Sequence, residues 1–375
     1  MKEDFPAEAV VLPEKILQKW ETRGVSRRDF IKFCTGMTAT LALPLSFVPR
    51  VAEALEDLRV PVIWVEFQGC TGDTEALLRA NQPTVAEILL DLLSVEYHET
   101  IMAAAGQQAE EAKHQAMDKY KGQYIAVVEG SIPAGDGGVY CTIAGDSALN
   151  IARKVCGNAA ATIAVGNCAT FGGLPAAAPN PTGAISVQEA VPGATVLNLP
   201  GCPLNVDNLT ATIVHFLTFN RLPATDRLGR PLFAYGKRIH DNCERRSHFD
   251  AGQYAEAFGD EGHRKGFCLY KLGCKGPETF HNCPTIRYNE GTSWPVMAGH
   301  GCIGCAEPGF WDTMTPFYRR LPQVPGFGVE VTADQIGVGL AVGTAAAFAA
   351  HGVASAFRKG HAFKSDNLVQ KDKEE

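Results

Sequence analysis

One stretch of this sequence, residues 240–305, constrains what the chain can fold into more than any other feature. It holds one histidine and six cysteines: His240, Cys243, Cys268, Cys274, Cys283, Cys302 and Cys305. Thiolates with one imidazole at this density are typical ligands of zinc or iron–sulfur clusters. Seven ligands are too many for one tetrahedral zinc ion. Two clusters use them all, if the first four residues hold one cluster and the last three hold a second.

Composition favours metal ligation and excludes some partners. The chain has 375 residues, which suggests two or three domains, and its formal net charge of −7 argues against nucleic acid as a partner. Its 12 cysteines are too sparse, in a chain of this length, for a small disulfide-stabilised scaffold. Adjacent clusters usually move electrons, so we expect the rest of the chain to provide an entry and an exit for them.

The N-terminal 54 residues have the three parts of a twin-arginine (Tat) export signal. Ser26-Arg27-Arg28-Asp29-Phe30-Ile31-Lys32 is followed by a moderately apolar run over 37–48 and by Ala52-Glu53-Ala54, which is typical of a cleavage site. The alternative is a chance arginine pair ahead of a buried helix. We predict that residues 1–54 are an export signal outside the folded domains, which places the chain on the periplasmic face of the cell membrane.

Residues 55–205 alternate short apolar runs with longer amphipathic stretches. The predicted strands are Val60–Glu66, Gln123–Glu129, Ala161–Val165 and Thr195–Leu199. The predicted helices are Thr74–Asn81, Thr84–Ser94, Glu110–Tyr120 and Ser147–Cys156. Strands that are apolar along most of their length are expected in a parallel sheet that is buried on both faces. The pattern therefore predicts an α/β domain with a flavodoxin-like open parallel sheet.

Three cysteines directly follow three of these strands. Cys70, Cys168 and Cys202 each lie beside a glycine in a strand-end loop. Sites in open α/β sheets form outside the carboxyl ends of the strands, so the three thiols should share one crevice and hold a third cluster. The alternative is three buried structural cysteines.

The fourth ligand of this third cluster is ambiguous. Asp73 lies three residues after Cys70, where a Cys-x-x-Cys motif would have its second thiol. A carboxylate there could bind iron, or it could cap the helix that starts near Thr74. Cys141 and Cys156 are the other candidates, although Cys156 lies in a helical pattern that is typical of core packing.

Residues 206–331 have weak periodicity and are rich in glycine, proline and aromatic residues. Apart from a possible helix at Asn208–Asn220, they are predicted to form short helices and long loops. A segment of this kind has little apolar core of its own, so bound clusters would take over that role. We predict an irregular, cysteine-rich iron–sulfur domain.

The sequence resembles the small, electron-transferring subunit of membrane-bound NiFe hydrogenases over nearly its whole length. The resemblance is carried by Arg27-Arg28-x-Phe30-x-Lys32, Trp64 ahead of Cys70-Thr71-Gly72, Pro200-Gly201-Cys202-Pro203, His240-x-x-Cys243, Gly273-Cys274-Lys275-Gly276-Pro277, Asn282-Cys283-Pro284, Trp294-Pro295 and Gly299-His300-x-Cys302-x-Gly304-Cys305. It implies a line of three clusters and no catalytic residue on this chain. The nickel site would belong to a separate large subunit.

The resemblance also implies the type of each cluster. Cys70, Cys168 and Cys202, with Asp73 in place of the usual cysteine, would hold a proximal 4Fe-4S cluster. Cys283, Cys302 and Cys305 would hold a medial 3Fe-4S cluster, because Pro295 stands where a fourth thiolate could otherwise reach. His240, Cys243, Cys268 and Cys274 would hold a distal 4Fe-4S cluster. Gly72 and Gly173 stand where oxygen-tolerant members have extra cysteines, and Gly301 replaces a commoner proline.

Residues 332–375 are predicted to be a membrane anchor with a cytoplasmic tail. The run from Ile336 to about Phe357 is apolar, is interrupted only by His351, and is long enough to span a bilayer. Arg358, Lys359, Lys364 and Lys371 follow it, which places the tail inside. The alternative is an alanine-rich soluble helix packed on the large subunit.

The expected function is electron relay from hydrogen oxidation at the large subunit to a membrane acceptor, a cytochrome b or a quinone-linked protein. One alternative is an iron–sulfur relay subunit of another membrane redox complex. Another is an exported binding module that carries zinc or disulfides. The first hypothesis predicts about eleven iron atoms per chain.

Overall fold

The computed structural model describes residues 12–22, 25–57, 59–80, 84–85, 88, 93–289, 291–320 and 338–355. At its centre is a sheet of five parallel strands: β1 (Val60–Glu66), β2 (Leu93–His98), β3 (Ile125–Glu129), β4 (Ala161–Val165) and β5 (Val196–Leu199). Their spatial order is β2-β1-β3-β4-β5. That order is the flavodoxin-like one, as predicted.

The sheet forms because its strands bury side chains on both faces. Along β1, Val60, Val62 and Trp64 join one core cluster, whereas Ile63 and Val65 join another on the opposite face. This alternation follows the two-residue period of an extended strand. Helices therefore cover both faces of the sheet, and the loops after the strands meet at one edge.

The helices of this half of the chain are, in order, α1 (Glu14–Glu21), α2 (Arg27–Thr40), α3 (Val48–Asp57), α4 (Gly72–Leu78), α5 (Gln107–Lys119), α6 (Ala148–Gly157), α7 (Gly166–Phe171), α8 (Val187–Ala190) and α9 (Val206–Phe219). Two short ladders lie in the loops: Ile132–Pro133 pairs with Ala184–Ile185, and Thr142–Ile143 pairs with Asp146–Ser147. α9 packs on the first core cluster through Leu209 and Ile213. The α/β layer therefore continues beyond the predicted boundary at residue 205.

One strand was not predicted. The sequence pattern favours a helix over Thr84–Ser94, but Leu93 and Ser94 begin β2, which pairs with β1 through Val60 and Leu93 and through Val62 and Val95. The remainder of that predicted helix lies largely outside the described residues. Here pairing with an existing strand outweighs the local helical spacing of the leucines, as tertiary contacts often do.

The described part of the N-terminal segment is packed in this structure, whereas the sequence pattern places residues 1–54 outside the folded domains. α1, α2 and α3 bury apolar faces in the first core cluster, and Trp20 stacks on Phe30 with ring centroids 4.8 Å apart. α3 also packs along α9. Each of these helices carries an apolar stripe, and a stripe of that kind is stabilised by burial.

The cysteine-rich half is built from short elements, as predicted. Its helices are α10 (Leu232–Tyr235), α11 (Arg246–Asp250), α12 (Glu261–Arg264), α13 (Cys283–Ile286) and α14 (Phe310–Thr313), with single 3-10 turns at Ile239–Asn242 and Tyr270–Leu272. Its small apolar core contains Cys283 and Cys302 beside Trp294. Cysteines thus replace part of the aliphatic core.

A last helix, α15, covers Val338–Ser355. It is 18 residues long with mean hydropathy 1.4, and none of it is buried against the rest of the described chain. Its length and composition are sufficient to cross a membrane. The basic residues that follow it lie outside the described residues.

Candidate metal centres

The loops after β1, β4 and β5 bring the first set of predicted ligands together. Burial, followed by the nearby Cys305, Cys168, Asp73 and Cys70, raises the pKa of the Cys202 thiol to about 12. Cys202 therefore lies between the other predicted residues of its own set and Cys305 of the next set. We call Cys70, Asp73, Cys168 and Cys202 the proximal set.

Asp73 points into this crevice and does not cap α4. Its Oδ1 accepts a hydrogen bond from the backbone N–H of Leu204 at 2.6 Å. A Cβ added to Gly166 would lie 2.0 Å from Asp73 Oδ2, so only glycine leaves room for the carboxylate. Burial, followed by repulsion from Glu129, raises the pKa of Asp73 to about 7. A positive centre beside this carboxyl would restore its charged form.

Glu129 takes the capping role instead. The Glu129 carboxylate accepts hydrogen bonds from the backbone N–H groups of Asp73 and Thr74 at 2.9 and 3.1 Å. These are first-turn N–H groups of α4, which otherwise have no partner inside the helix. The Thr74 hydroxyl donates to the same carboxylate at 2.6 Å. Glu129 thereby frees Asp73 to face the cysteines, a role that the sequence pattern does not reveal.

The two alternative thiols are placed elsewhere. Cys156 is buried on α6 in the second core cluster, and burial raises its pKa to about 12. Cys141 is partly exposed, and its raised pKa results from burial and then from Glu99. Of the three candidates for the fourth proximal position, Asp73 is the one that the structure brings to Cys70, Cys168 and Cys202.

The second set, Cys283, Cys302 and Cys305, lines one cavity of about 580 Å³. We call it the medial set. Cys202 of the proximal set and Pro295 also line this cavity. Pro295 is therefore close to the three thiols and offers no ligating atom of its own.

The third set lines a smaller cavity, to which all four predicted residues contribute: His240, Cys243, Cys268 and Cys274. We call it the distal set. Burial lowers the pKa of His240 to about 4, so its imidazole is neutral at physiological pH. A neutral imidazole has a nitrogen lone pair that can bind a metal.

Backbone amides link the three sets in series. Burial raises the pKa of the Cys305 thiol, and the backbone N–H of Cys202 opposes that rise by donating toward the sulfur. The backbone N–H of Cys302 donates to the Sγ of Cys274 at 3.2 Å. The medial set thus lies between the proximal and distal sets.

These donor sets fit iron–sulfur clusters better than single metal ions. Among the described residues, no three histidine, cysteine or carboxylate side chains converge tightly enough to hold one ion. Cluster ligands bind different iron atoms, so they lie farther apart around a shared space. Soft thiolates in apolar cavities are the expected surroundings of such groups.

Two family models match parts of the chain that contain these sets. The family model for the C-terminal part of the NiFe/NiFeSe hydrogenase small subunit matches residues 235–318. The model described as NADH ubiquinone oxidoreductase, 20 Kd subunit, matches residues 70–216. The first match contains the medial and distal sets, and the second contains the proximal set.

Individual relatives cover most of the chain. The quinone-reactive Ni/Fe-hydrogenase small chain of Wolinella succinogenes is 50% identical over 344 residues, which are 89% of this chain and 97% of that one. The uptake hydrogenase small subunit of Azotobacter vinelandii is 47% identical over 338 residues, covering 90% and 94%.

A solved structure gives the same result. The crystal structure of a reduced, active form of the Ni-Fe-Se hydrogenase from Desulfomicrobium baculatum aligns with a TM-score of 0.67 at 36% identity, covering 70% of this chain and 100% of that chain. Both the sequence and the fold therefore show that this chain belongs to the small-subunit family of NiFe hydrogenases.

Proposed function

We propose that this chain relays electrons between hydrogen oxidation at the nickel site of a large subunit and an acceptor in the membrane. The observation that carries the proposal is the series of three soft-ligand sets joined by the Cys202–Cys305 and Cys302–Cys274 contacts. Two 4Fe-4S clusters and one 3Fe-4S cluster, when bound, would supply one-electron redox centres at these sets.

The ligand assignment follows the three sets. Cys70, Asp73, Cys168 and Cys202 would hold the proximal 4Fe-4S cluster. Cys283, Cys302 and Cys305 would hold the medial 3Fe-4S cluster, and His240, Cys243, Cys268 and Cys274 would hold the distal 4Fe-4S cluster. Cys202 also lines that cavity but is assigned to the proximal cluster, and Pro295 in the wall offers no ligating atom, so the three remaining thiolates suit the three-iron form.

The protein around the proximal set holds its ligands in place. The Tyr235 hydroxyl donates to the carbonyl of Pro200 at 2.8 Å and so fixes the loop before Cys202. The Asn167 amide donates to the carbonyls of Cys305 and Glu307 at 2.9 and 3.0 Å and ties the loop after β4 to the medial set. Ligand positions set by buried hydrogen bonds of this kind tune a metal site.

Cys70 and Cys202 are more exposed than the other thiols, and they lie where the strand ends meet. Docking of the large subunit over this edge would exclude water from the proximal set. Reduced access of water would then help to set the reduction potential of the proximal cluster.

The two ends of the chain would place it at the membrane. The twin-arginine motif would direct export of the folded protein, and α15 would anchor it with the main body on the periplasmic face. One of the relatives, that of Wolinella succinogenes, is named quinone-reactive. A cytochrome b or another quinone-linked membrane protein is the acceptor that we propose for this chain.

A relay subunit of another membrane redox complex is the second candidate, and the match of residues 70–216 to a ubiquinone oxidoreductase subunit favours it. Residues 235–318 match the hydrogenase model instead. An assay of hydrogen uptake by the purified complex separates the two candidates, since the first predicts uptake and the second predicts none.

Metal analysis of the purified complex tests the proposal. After subtraction of the large subunit's own iron, we expect about eleven iron atoms per copy of this chain and paramagnetic signals from a three-iron and a four-iron centre. Stoichiometric zinc with little iron would refute it.

The proximal assignment of Asp73 has its own test. Replacing Asp73 by Cys and by Ala should change the spectrum of the proximal centre, because each variant changes a ligand. Asp146→Ala is a control in the short ladder with Thr142–Ile143, where the carboxylate pairs with Lys154. An unchanged proximal spectrum in both Asp73 variants would show that the carboxylate does not bind iron.

A further inference from the structure

Two buried N–H groups line the medial cavity without a partner among the described residues. His281 is 2% exposed and Trp294 is 3% exposed. The Nε2 of His281 and the Nε1 of Trp294 make no hydrogen bond within the described part of the chain. Both residues line the same cavity as Cys283, Cys302 and Cys305. Buried polar groups without partners are rare and costly, so each of these donors calls for an explanation.

The proton on His281 is located by its neighbour. The backbone N–H of Cys283 donates to His281 Nδ1 at 3.0 Å. A backbone amide can only donate, so Nδ1 must be the acceptor nitrogen. A ring whose Nδ1 accepts a hydrogen bond has no proton on that nitrogen and is therefore neutral. The single ring proton therefore sits on Nε2.

The imidazole is held firmly in this position. It meets the Tyr235 ring edge-on, with centroids 5.0 Å apart, and stacks on Tyr288 at 6.5 Å. Its backbone N–H donates to the carbonyl of Lys237 at 3.2 Å. A ring packed between two aromatic side chains cannot turn to find another acceptor.

Trp294 is fixed in a similar way on another part of the wall. Its side chain belongs to the small core cluster that contains Ile239, Leu269 and Val296. An indole nitrogen is a donor only. No described residue accepts that hydrogen bond, although the carbonyl of Trp294 itself accepts the backbone N–H of Ala298 at 3.0 Å.

We propose that His281 Nε2 and Trp294 Nε1 donate hydrogen bonds to sulfur atoms of the medial cluster and raise its reduction potential. The proposal rests on the proposed function, which assigns that cluster to Cys283, Cys302 and Cys305. Cluster sulfur is the acceptor that this cavity would supply to both donors. The reduced cluster carries one more negative charge than the oxidised cluster, so N–H groups aimed at its sulfurs stabilise the reduced form. His281 and Trp294 are therefore positioning residues that set a potential and do not bind iron.

The experiment is a redox titration of the purified complex, followed through the paramagnetic signal of the medial centre. Trp294→Phe removes one N–H and keeps an aromatic ring, and His281→Met removes the other. His281→Gln retains an N–H at a similar reach and should restore most of the potential. Trp64→Phe is the matched control, since the Trp64 indole is also buried and unpaired within the described residues but lines a different cavity.

We expect lower midpoint potentials in Trp294→Phe and His281→Met, with Trp64→Phe and His281→Gln close to the native protein. A tenfold rise in the ratio of oxidised to reduced cluster at a fixed solution potential corresponds to a fall of about 59 mV in the midpoint potential for a one-electron centre. If His281→Met does not assemble its cluster, Trp294→Phe and His281→Gln decide the question.

Unchanged potentials in Trp294→Phe and His281→Met, with the medial signal intact, would overturn this inference alone. A native protein with no medial iron signal would overturn the proposed function instead.

Discussion

A buried ion pair between Arg230 and Glu307 lies next to the medial set. Arg230 donates through Nη1 to Glu307 Oε1 at 3.0 Å and to the carbonyl of Ala306 at 3.1 Å. Its Nε donates to Asp226 at 2.8 Å. Glu307 also accepts the backbone N–H of Phe280 at 2.6 Å. The guanidinium is thus held by several partners beside Cys305.

Replacing Arg230 by Met should be strongly destabilising. The side chains of Arg230 and Glu307 are 4% and 11% exposed, so the substitution leaves a buried carboxylate unpaired. Breaking a buried pair in this way costs about 3–5 kcal/mol. At roughly 2 °C per kcal/mol for a chain of this size, the thermal midpoint should fall by about 6–10 °C.

The loss of stability caused by Arg230→Met should increase as the pH rises. Burial raises the pKa of Glu307, and Arg230 opposes that rise. Without Arg230 the folded state holds the Glu307 proton more tightly than the unfolded state, whose pKa is about 4.3. The penalty is therefore absent below that pH and grows as pH rises above it. The double variant Arg230→Met with Glu307→Gln should remove this dependence and recover part of the stability.

The assay is thermal loss of iron–sulfur absorbance at one heating rate, measured on the purified complex at several pH values. Arg79→Met is the matched control, since the Arg79–Glu75 pair is 58% exposed on both sides and should contribute under about 1 kcal/mol. Equal effects of Arg79→Met and Arg230→Met, or a deficit that does not grow with pH, would contradict this account.

Three further predictions concern stability. Burial lowers the pKa of His98 from 6.5 to about 4. The free energy of unfolding should therefore fall by about 3 kcal/mol as the pH drops from 6.5 to 4. In His98→Gln, denaturation measured at several pH values should show a smaller fall over this range. Gly273 has φ +92°, and an added Cβ would lie 2.3 Å from the Phe317 carbonyl oxygen, so Gly273→Ala should cost about 1–3 kcal/mol in thermal unfolding, unlike Gly36→Ala in open space. Ser186→Ala removes the capping box with Glu189 and should cost about 1 kcal/mol in the same measurement.

The central sheet could be predicted because its strands are buried on both faces. β1 and β4 begin and end where the apolar runs do, and β3 and β5 differ by one or two residues. β2 is an edge strand with mixed side chains, and its pairing with β1 is what makes it a strand. A single sequence contains no direct sign of such long-range pairing.

The N-terminal segment shows a different limit. Motifs identify Arg27 and Arg28 as a possible signal, but they say nothing about packing. Phe30 of the motif and Ala52 of the expected cleavage site are both buried in the first core cluster. Amphipathic spacing was the sign that these helices could pack, and it is compatible with a role in export.

The predicted ligands come together because of their spacing in the sequence or because they follow strand ends. The residues that hold them in place, in contrast, come from distant parts of the sequence. Asp73 is predicted because it lies three residues after Cys70 in the sequence, and the structure places its carboxylate in the crevice of the proximal set. Glu129 lies 56 residues away along the chain from the Asp73 amide that it binds. His281 and Trp294 are buried and, among the described residues, nothing accepts a hydrogen bond from His281 Nε2 or Trp294 Nε1; both facts are properties of the folded cavity.

The order of the three sets in space differs from their order in the chain. Along the sequence the distal set, residues 240–274, precedes the medial set, residues 283–305. In the structure Cys305 contacts the Cys202 amide and Cys302 donates to Cys274, so the later set lies between the two earlier ones. The Cys302-x-x-Cys305 motif makes both contacts from one short loop. A substitution that moves this loop should therefore disturb the contacts of the medial set with both the proximal and the distal set. A substitution in the proximal or distal set should disturb only the contact of that set with the medial set.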